Sequence, residues 1–322
     1  MTSERKGGQL VKELLQGSAK AAARLITLVE EGDPECQNLM REIYPHTGSA
    51  YVVGFTGPPG VGKSTLVGKV AKFLVRQGME VGIVAVDPSS PFSGGAFLGD
   101  RIRMTEEVGR EEGVFIRSLG SRGKMGGLSR ATFEVVRILD ALKKPFIFIE
   151  TVGAGQDEVE IIKLVDTSIV VLSPGSGDEI QALKAGMMEI GDLFVLNKSD
   201  REGAERVALT LEAALEWGVQ PDKWKPSVIK TIAIQEKGID DLWEEVGVHR
   251  RYLTSQGLLE TRRKQRIQTE ILRIIEEELG RYLRNSFNSK AGFEKEVEKA
   301  MQGKKDPYTC ARDLLSSFLP PL

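Results

Sequence analysis

The sequence contains few of the side chains that build metal clusters or disulfide frameworks. Its 322 residues include only two cysteines and two histidines. Cys36 and Cys310 have no second cysteine in a CxxC pattern, and His46 and His249 lie in opposite halves of the chain. A clustered cysteine and histidine zinc site is therefore excluded, and so is a fold that depends on several disulfide bonds.

The chain also lacks an excess of one charge and a long hydrophobic run. Lys and Arg number 44 and Asp and Glu number 46, which leaves a net charge of -2. This balance provides no overall attraction for nucleic acid or anionic lipid. No run of about 18 apolar residues occurs, and the polar start lacks the apolar region of a signal peptide. We therefore expect a cytoplasmic protein that has no nucleic acid or membrane partner.

What remains is the composition of an ordinary globular protein. Hydrophobic residues make up 41% of the chain and charged residues 28%, which is within the usual range. At roughly 150 residues per domain, the length fits two domains or one large α/β domain with additions equally well. The chain is therefore long enough to bury a sizeable core.

Helical periodicity marks both ends of the chain. Between residues 9 and 44, apolar side chains recur at helical spacing, and Asp33-Pro34 is expected to open a second helix. Near the other end, an apolar stripe predicts one long helix. Its members are Ile267, Ile271, Ile274, Ile275, Leu279 and Tyr282. We expect an N-terminal helical arm over 1–48 and a helical C-terminal extension over 251–322.

The middle of the chain alternates short apolar runs with helical patterns. The apolar runs are 51–55, 81–86, 146–149, 168–172 and 193–197. The helical patterns lie at about 63–77, 128–142, 179–189 and 202–216. Continuous apolar runs suit parallel strands that are buried on both faces. The sequence therefore predicts a doubly wound, mostly parallel α/β sheet over 49–250, with its site at the carboxyl ends of the strands.

A phosphate-binding motif follows the first predicted strand directly. It comprises Gly57, Pro58, Pro59, Gly60, Val61, Gly62, Lys63, Ser64 and Thr65. This is a complete GxxxxGK[ST] pattern between a strand and a helix, which is the context that the P-loop requires. The backbone N–H groups can surround a phosphate, Lys63 can neutralise the β and γ oxygens, and the Ser64 hydroxyl can bind Mg²⁺. The motif leaves open whether the protein is a kinase, an ATPase or a GTPase.

An NKxD motif after the fifth predicted strand indicates the base. Asp200 offers two acceptors that match the N1–H and the exocyclic amine of guanine, while Asn197 and Lys198 position the loop and the base. The order of P-loop first and NKxD after the fifth strand is typical of guanine nucleotide binding. We therefore predict a GTP and GDP site.

Three acidic residues follow strands or loops near the same edge. Glu150 ends the third predicted strand at the position of a Walker B acid, and Gly153 stands where a glycine senses the γ-phosphate. Asp87 and Asp100 supply further carboxylates, which together with Ser64 would suffice for Mg²⁺. The alternatives are a turn cap for Asp87 and a helix N-cap for Asp100.

Several uncommon motifs occur in order and resemble the MeaB/MMAA/ArgK family of P-loop GTPases, the chaperones of adenosylcobalamin-dependent acyl-CoA mutases. These motifs are GPPGVGKST, VDPSSPFSGG, LGDRIRM, RGKMGGLSRAT, ETVGAGQDE, GDEIQALKAG and NKSD. The resemblance implies a first switch over 88–104, with Asp100 near Mg²⁺, and a second over 150–158. In the second switch, Glu150 would be the Walker B acid and Gln156 would lie near the hydrolytic water.

The resemblance extends to regions beyond the nucleotide. A further switch that communicates with the mutase would contain Asp178, Glu179, Gln181 and Lys184. Spacing alone leaves an alternative for the two acids, which also fit the first turn of an ordinary helix. Ala233 would contact guanine through its backbone N–H. The C-terminal helices would form a homodimer, with packing inside the chain as the alternative.

The resemblance implies a GTPase that binds Mg²⁺ and gates cofactor loading and protection of a mutase such as methylmalonyl-CoA mutase. Two alternatives remain. A small-molecule kinase would use the same P-loop but has no need of the NKSD motif. A metallochaperone GTPase should carry CxxC or histidine-rich motifs, which the sequence does not contain.

Overall fold

The computed structural model describes residues 3–87, 108, 111–120, 130–151, 164–175, 187–216, 223–288 and 291–316. The chain divides into two compact units, Met1–Arg263 and Lys264–Leu322. The first unit contains the helical arm together with the sheet. The division of the chain at residues 48 and 250 stays a prediction.

The described part of the first unit is built on seven strands. They are β1 (Tyr51–Thr56), β2 (Val81–Asp87), β3 (Val114–Gly120), β4 (Phe146–Thr151), β5 (Thr167–Leu172), β6 (Leu193–Asn197) and β7 (Val228–Thr231). Their order in the sheet is β3-β2-β4-β1-β5-β6-β7, and all neighbouring pairs are parallel. The predicted α/β class with a mostly parallel sheet is confirmed. The strand β1 lies between β4 and β5, so the loop that follows it opens at the middle of the carboxyl edge.

Two strands were not predicted, and both lie at the margins of the sheet. β3 is only partly buried along most of its length, and it carries Arg117 where a central strand would carry an apolar side chain. β7 has four residues, one of them the exposed Lys230. An edge strand is covered less completely than a central one, so it does not show the continuous apolar run used to predict the others.

The helices that the structure describes surround and extend the sheet. They are α1 (Ser3–Leu15), α2 (Ala19–Glu31), α3 (Cys36–Ile43), α4 (Lys63–Arg76), α5 (Arg130–Ala141), α6 (Ala204–Glu216), α7 (Ile239–Ser255), α8 (Leu258–Asn288), α9 (Ala291–Met301) and α10 (Pro307–Ser316). One face of the sheet packs against α1, α2, α3, α5 and α6, and the other against α4 and α7. This is the doubly wound arrangement that the alternating pattern predicts.

The N-terminal arm has one more break than predicted. The first helix does not continue to Asp33 but ends before Gly17, which has a φ of 91°. Ser18 then caps α2, because its hydroxyl accepts the Ala21 N–H at 3.2 Å. The prediction followed apolar spacing alone and missed this capping residue. The arm therefore consists of three short helices that share a core with the sheet.

Two buried aspartates at the amino edge of the sheet hold the start of α8. The guanidinium of Arg262 donates to both carboxylate oxygens of Asp192, at 2.7 and 2.9 Å, and to the carbonyl of Asp166 at 2.8 Å. Arg263 donates to two backbone carbonyls before β1, at 2.7 and 2.9 Å. Burial opposes ionisation of Asp192 and is the largest single effect, but the hydrogen bond and charge of Arg262, together with the Ser168 N–H and other neighbours, lower the pKa of the carboxyl group. Asp192 therefore stays charged in the interior.

A fully buried histidine adjoins these ion pairs. His249 Nδ1 lies 2.8 Å from Thr167 Oγ1, which in turn lies 2.6 Å from the hydroxyl of Tyr51. Its Nε2 lies 3.4 Å from Asp192 Oδ1. Burial lowers the pKa of His249 to about 4, although the charge of Asp192 acts in the opposite direction. The imidazole is therefore neutral at neutral pH.

The second unit contains most of α8 together with α9 and α10. Lys305 joins the last two helices, because its Nζ lies 2.6 Å from Glu296 and 2.5 Å from Asp313. Along α8, the predicted apolar stripe is largely exposed. The exposed members are Ile267, Ile271, Ile275, Leu279 and Tyr282. Within the residues described, we find no helix long and apolar enough to span a bilayer.

The buried histidine leads to a prediction about acid stability. Because the pKa of His249 is about 4 in the folded protein and about 6.5 when unfolded, only the unfolded chain takes up this proton between those values. The free energy of unfolding should therefore fall by about 3 kcal/mol from this group as the pH drops from about 6.5 to about 4. In His249→Gln this part of the slope should be absent, as measured by denaturant unfolding at several pH values. An unchanged slope would contradict the assignment.

Candidate functional site

The loop between β1 and α4 approaches its neighbours too closely for side chains at two glycines. Gly57 has a φ of 134°, and a Cβ there would lie 2.1 Å from the carbonyl oxygen of Val171. Gly62 has a φ of 94°, and a Cβ there would lie 2.6 Å from Asn197 Nδ2. Both positions therefore require glycine for space as well as for conformation. The glycine pattern of the motif brings the loop against the ends of β5 and β6.

Lys63 occupies the first turn of α4 and points back into this loop. The side chain is buried, and its ammonium donates to the carbonyls of Gly57 at 2.7 Å and Pro58 at 2.9 Å. The loop thus holds a positive charge at the start of a helix, where backbone N–H groups are also directed. Such an arrangement attracts an anion such as a phosphate.

Ser64 and Glu150 meet beside the P-loop. The serine hydroxyl donates to Glu150 Oε1 at 2.6 Å, and the glutamate is buried near the carboxyl end of β4. The register of the sheet places Glu150 next to Phe55 of β1 and Ala85 of β2. A hydroxyl and a carboxylate on adjacent elements supply the hard oxygen donors that Mg²⁺ prefers. These two residues fit the predicted metal site.

The other predicted carboxylates are only partly described. Asp87 ends β2 in register with Gly120 of β3, at the same edge as Glu150, but its side chain lies outside the described residues. Asp100 lies outside them entirely. Their assignment to Mg²⁺ stays a prediction.

Asn197 connects the P-loop with the loop after β7. Its Nδ2 donates to the carbonyl of Val61 at 2.9 Å. Its Oδ1 accepts the Thr231 hydroxyl and the Ala233 N–H, both at 3.1 Å. A single buried amide therefore joins three segments that are far apart in sequence. The contact of Thr231 was not predicted, because a threonine at the end of a short edge strand carries no recognisable sequence signal.

The next residues of the NKSD motif differ in burial. Lys198 has a φ of 57°, and its Nζ donates to the Gly60 carbonyl at 2.6 Å. Burial, followed by the charge of Arg201, lowers the pKa of Lys198. Asp200 is exposed, which leaves its carboxylate accessible to a base. The stem of the lysine thus lies along the P-loop while the aspartate faces solvent.

Ala233 is adjacent to this motif, as predicted, but its N–H is used within the protein. This N–H donates to Asn197 Oδ1 at 3.1 Å. A contact with guanine would require this N–H to be shared between two acceptors, which is a common arrangement at helical turns. The contact stays a prediction.

The structure brings much of the predicted site to one edge of the sheet. The residues gathered there are Lys63, Ser64, Glu150, Asn197, Lys198 and Ala233. Other predicted residues lie outside the described part of the chain. They are Asp100, Gly153, Gln156, Asp178, Glu179, Gln181 and Lys184.

Comparison with protein families shows which family the chain belongs to. The family model described as methylmalonyl-CoA mutase-associated GTPase MeaB matches residues 22–288, which include most of α2, all of α3, the sheet and all of α8. The chain belongs to the MeaB family. The resemblance seen in the sequence motifs is therefore confirmed.

Individual relatives agree with this membership over nearly the whole chain. A protein of Pyrococcus abyssi that is named as a GTPase is 44% identical over 97% of this chain and 96% of its own length. The mouse mitochondrial protein named methylmalonic aciduria type A homolog is 30% identical, over 96% of this chain and 79% of its own. The crystal structure of a LAO/AO transport system kinase superposes with a TM-score of 0.74 at 28% identity, covering 98% of both chains.

Membership in the MeaB family establishes the reaction class. The protein is a GTPase that binds GTP and GDP and hydrolyses GTP to GDP and phosphate. The alternative of a small-molecule kinase is thereby set aside. The geometry agrees with this class, because a phosphate-binding loop and an NKSD loop lie against each other.

We predict that Asp200 determines the preference for guanine. Replacing Asp200 with Asn exchanges two acceptors for one acceptor and one donor group, which matches xanthine better than guanine. The variant should lose about 100-fold or more in affinity for GDP and gain affinity for XDP. Calorimetric titration with GDP, XDP and ADP measures this. Asp241→Asn, at an exposed position in α7, is the control. A wild-type protein that binds ADP as tightly as GDP would contradict the assignment.

Proposed function

We propose that this GTPase gates cofactor loading and protection of an adenosylcobalamin-dependent acyl-CoA mutase of the methylmalonyl-CoA mutase type. The observation that carries the proposal is the family match over 22–288, since that family is described by its association with methylmalonyl-CoA mutase. The mouse relative named for methylmalonic aciduria supports the same client. The protein would act on the mutase in the cytoplasm.

In this proposal, one group of residues binds the phosphates of GTP and another binds its base. Lys63 and the backbone N–H groups of its loop would neutralise the β and γ phosphates, while Asp200 would read the base. Ser64 and Glu150 would hold Mg²⁺, with Asp87 and Asp100 as further ligands. When bound, the ion would offset negative charge that develops on the phosphate oxygens. Since phosphoryl transfer depends mainly on positioning and charge neutralisation, these groups account for most of the chemistry.

Hydrolysis also needs a positioned water. On the family pattern, Gly153 would sense the γ-phosphate and Gln156 would orient the attacking water. Both follow β4 in the chain, within five residues of its last residue, Thr151. The segment that follows β4 would therefore be the first to lose contacts when the γ-phosphate is released.

A nucleotide can change a partner only through an element that differs between the GTP and GDP states. The segment after β4 is one candidate. The segment that contains Asp178, Glu179, Gln181 and Lys184 is another, because it follows β5, the strand on the other side of β1. β4 and β5 both end at the carboxyl edge where the phosphates would lie. We assign the second segment to the contact with the mutase.

The proposal predicts that the mutase stimulates GTP turnover. Wild-type protein should hydrolyse GTP faster with its cognate apo-mutase than alone. Asp178→Ala or Lys184→Ala should reduce that stimulation, because the contact surface and not the nucleotide site is changed. The assay is phosphate release with and without mutase, and Glu212→Ala, on the exposed side of α6, is the control. Stimulation by no acyl-CoA mutase would exclude the client role and leave the GTPase assignment intact.

We also propose that the exposed stripe of α8 forms a homodimer. Ile271 and Ile275 are 52% and 54% exposed and lie one turn apart, and neighbouring turns carry further apolar side chains. Contiguous exposed apolar surface of this kind marks an interaction site.

The dimer prediction is tested by charge insertion. Replacing Ile271 and Ile275 together with Asp should convert dimers to monomers that still bind GDP, because both side chains are largely exposed in one chain. Light scattering at several concentrations measures the change in mass. Leu209→Asp, at an isolated exposed position in α6, should leave the mass unchanged. A wild-type monomer at high micromolar concentration would refute the dimer.

A further inference from the structure

The loop after β7 contains a glutamate in a backbone conformation that favours glycine. Residues 232–237, here called the base loop, include the short helical turn Ala233–Gln235 followed by Glu236. Glu236 has a φ of 57°, in the left-handed region. A side chain with a Cβ adopts this conformation at a cost in free energy, so its retention calls for a compensating interaction.

The carboxylate of Glu236 supplies such an interaction. It accepts from Arg76 Nη1 at 2.8 Å and lies 3.3 Å from Lys69 Nζ. Both cations belong to α4, the helix whose first turn holds Lys63. The hydrogen bond with Arg76, together with Lys69, lowers the pKa of Glu236, so the carboxylate stays charged. The base loop is therefore tied to the phosphate-binding helix through a pair of cations on one helix face.

The rest of the base loop is closed upon itself and fixed at its other end. Ile232 and Lys237 exchange backbone hydrogen bonds at 3.1 and 3.4 Å. At the start of the loop, the Ala233 N–H donates to Asn197 Oδ1. The loop is thus held at one end by the NKSD motif and at the other by α4. The left-handed residue sits where the chain reverses between these two attachments.

We propose that Glu236 is a positioning residue for purine recognition, because it holds the base loop against the helix that begins at the phosphates. This inference rests on the proposed role of the base loop beside guanine. A bound nucleotide spans both ends of the site, so a fixed distance between α4 and the base loop lowers the ordering cost of binding. Loss of the contacts of Glu236 with Arg76 and Lys69 raises the rate at which nucleotide dissociates.

An exposed ion pair alone contributes little to stability. Glu236 differs from such a pair in two respects. It accepts from two cations on the same helix, and its backbone conformation places the carboxylate on their side. The exposed pair of Glu216 with Lys225, 3.0 Å apart, joins the end of α6 to a segment before β7 and provides a matched comparison without these features.

The test is a double-mutant cycle on nucleotide release. E236Q, R76Q and the double variant are loaded with a fluorescent GDP analogue, and the dissociation rate is measured by displacement with excess GDP. Each single variant should release the analogue about 3- to 5-fold faster than wild type. The double variant should release no faster than E236Q, because E236Q already removes the contacts with both Arg76 and Lys69. E216Q should release at the wild-type rate.

Thermal unfolding of the nucleotide-free proteins separates positioning from general stability. A lower midpoint in E236Q with unchanged release would overturn the proposal, and so would single effects that multiply in the double variant. A combined K69E, R76E and E236K exchange should restore slow release, because it reverses every charge of this contact and the structure already places two lysines, Lys143 and Lys198, at a similar φ. If wild-type protein does not prefer GDP to ADP, the proposed base site fails. If it does and E236Q has no effect, only the role of Glu236 fails.

Discussion

The close approach of the loop after β1 to the ends of β5 and β6 is the contact on which the site depends. At Gly57 and Gly62 no Cβ fits between the loop and its neighbours, so the P-loop is pressed against Val171 and Asn197. This approach lets one amide, that of Asn197, join the P-loop to the base loop. Because β1 lies in the middle of the sheet, the same loop is within reach of strands on both sides.

The two edges of the sheet carry different polar groups. Those at the carboxyl edge belong to the candidate nucleotide site, and those at the amino edge hold the packing of the chain. At the carboxyl edge, Asn197 ends β6 and Glu150 lies near the end of β4. At the amino edge, Asp192 precedes β6 and is held by Arg262, beside the neutral His249. Buried ion pairs and hydrogen bonds join Asp192 and Asp166 to Arg262 and Arg263, and they favour one fixed packing of the start of α8. The phosphate-binding loop and the NKSD motif lie at the carboxyl edge instead.

Prediction from sequence succeeded where a single local pattern determines the structure. The five central strands are continuous apolar runs, and the P-loop combines three required residue types at fixed spacing. It did not find the margins of the sheet, where Arg117 and Lys230 interrupt the pattern. Partners such as Thr231 for Asn197 depend on strand register, and the pairing of Asp192 with Arg262 depends on packing between distant elements. Neither register nor distant packing is visible in local sequence.

The division of the site into two ends also explains how binding and signalling can be separated. The base is the same in GTP and GDP, so the contacts proposed for Asp200 and the base loop would stabilise both states equally and shift no equilibrium between them. On the proposed role of Glu236, the contacts of Asn197 and Glu236 would therefore increase affinity for GTP and GDP alike without transmitting a signal. Only the γ-phosphate differs, and in the proposed function the segments that follow β4 and β5 in the chain would respond to it. If the base end is held fixed in this way, the loss of one phosphate would act mainly on those segments, because the contacts with the base would not change between the two states.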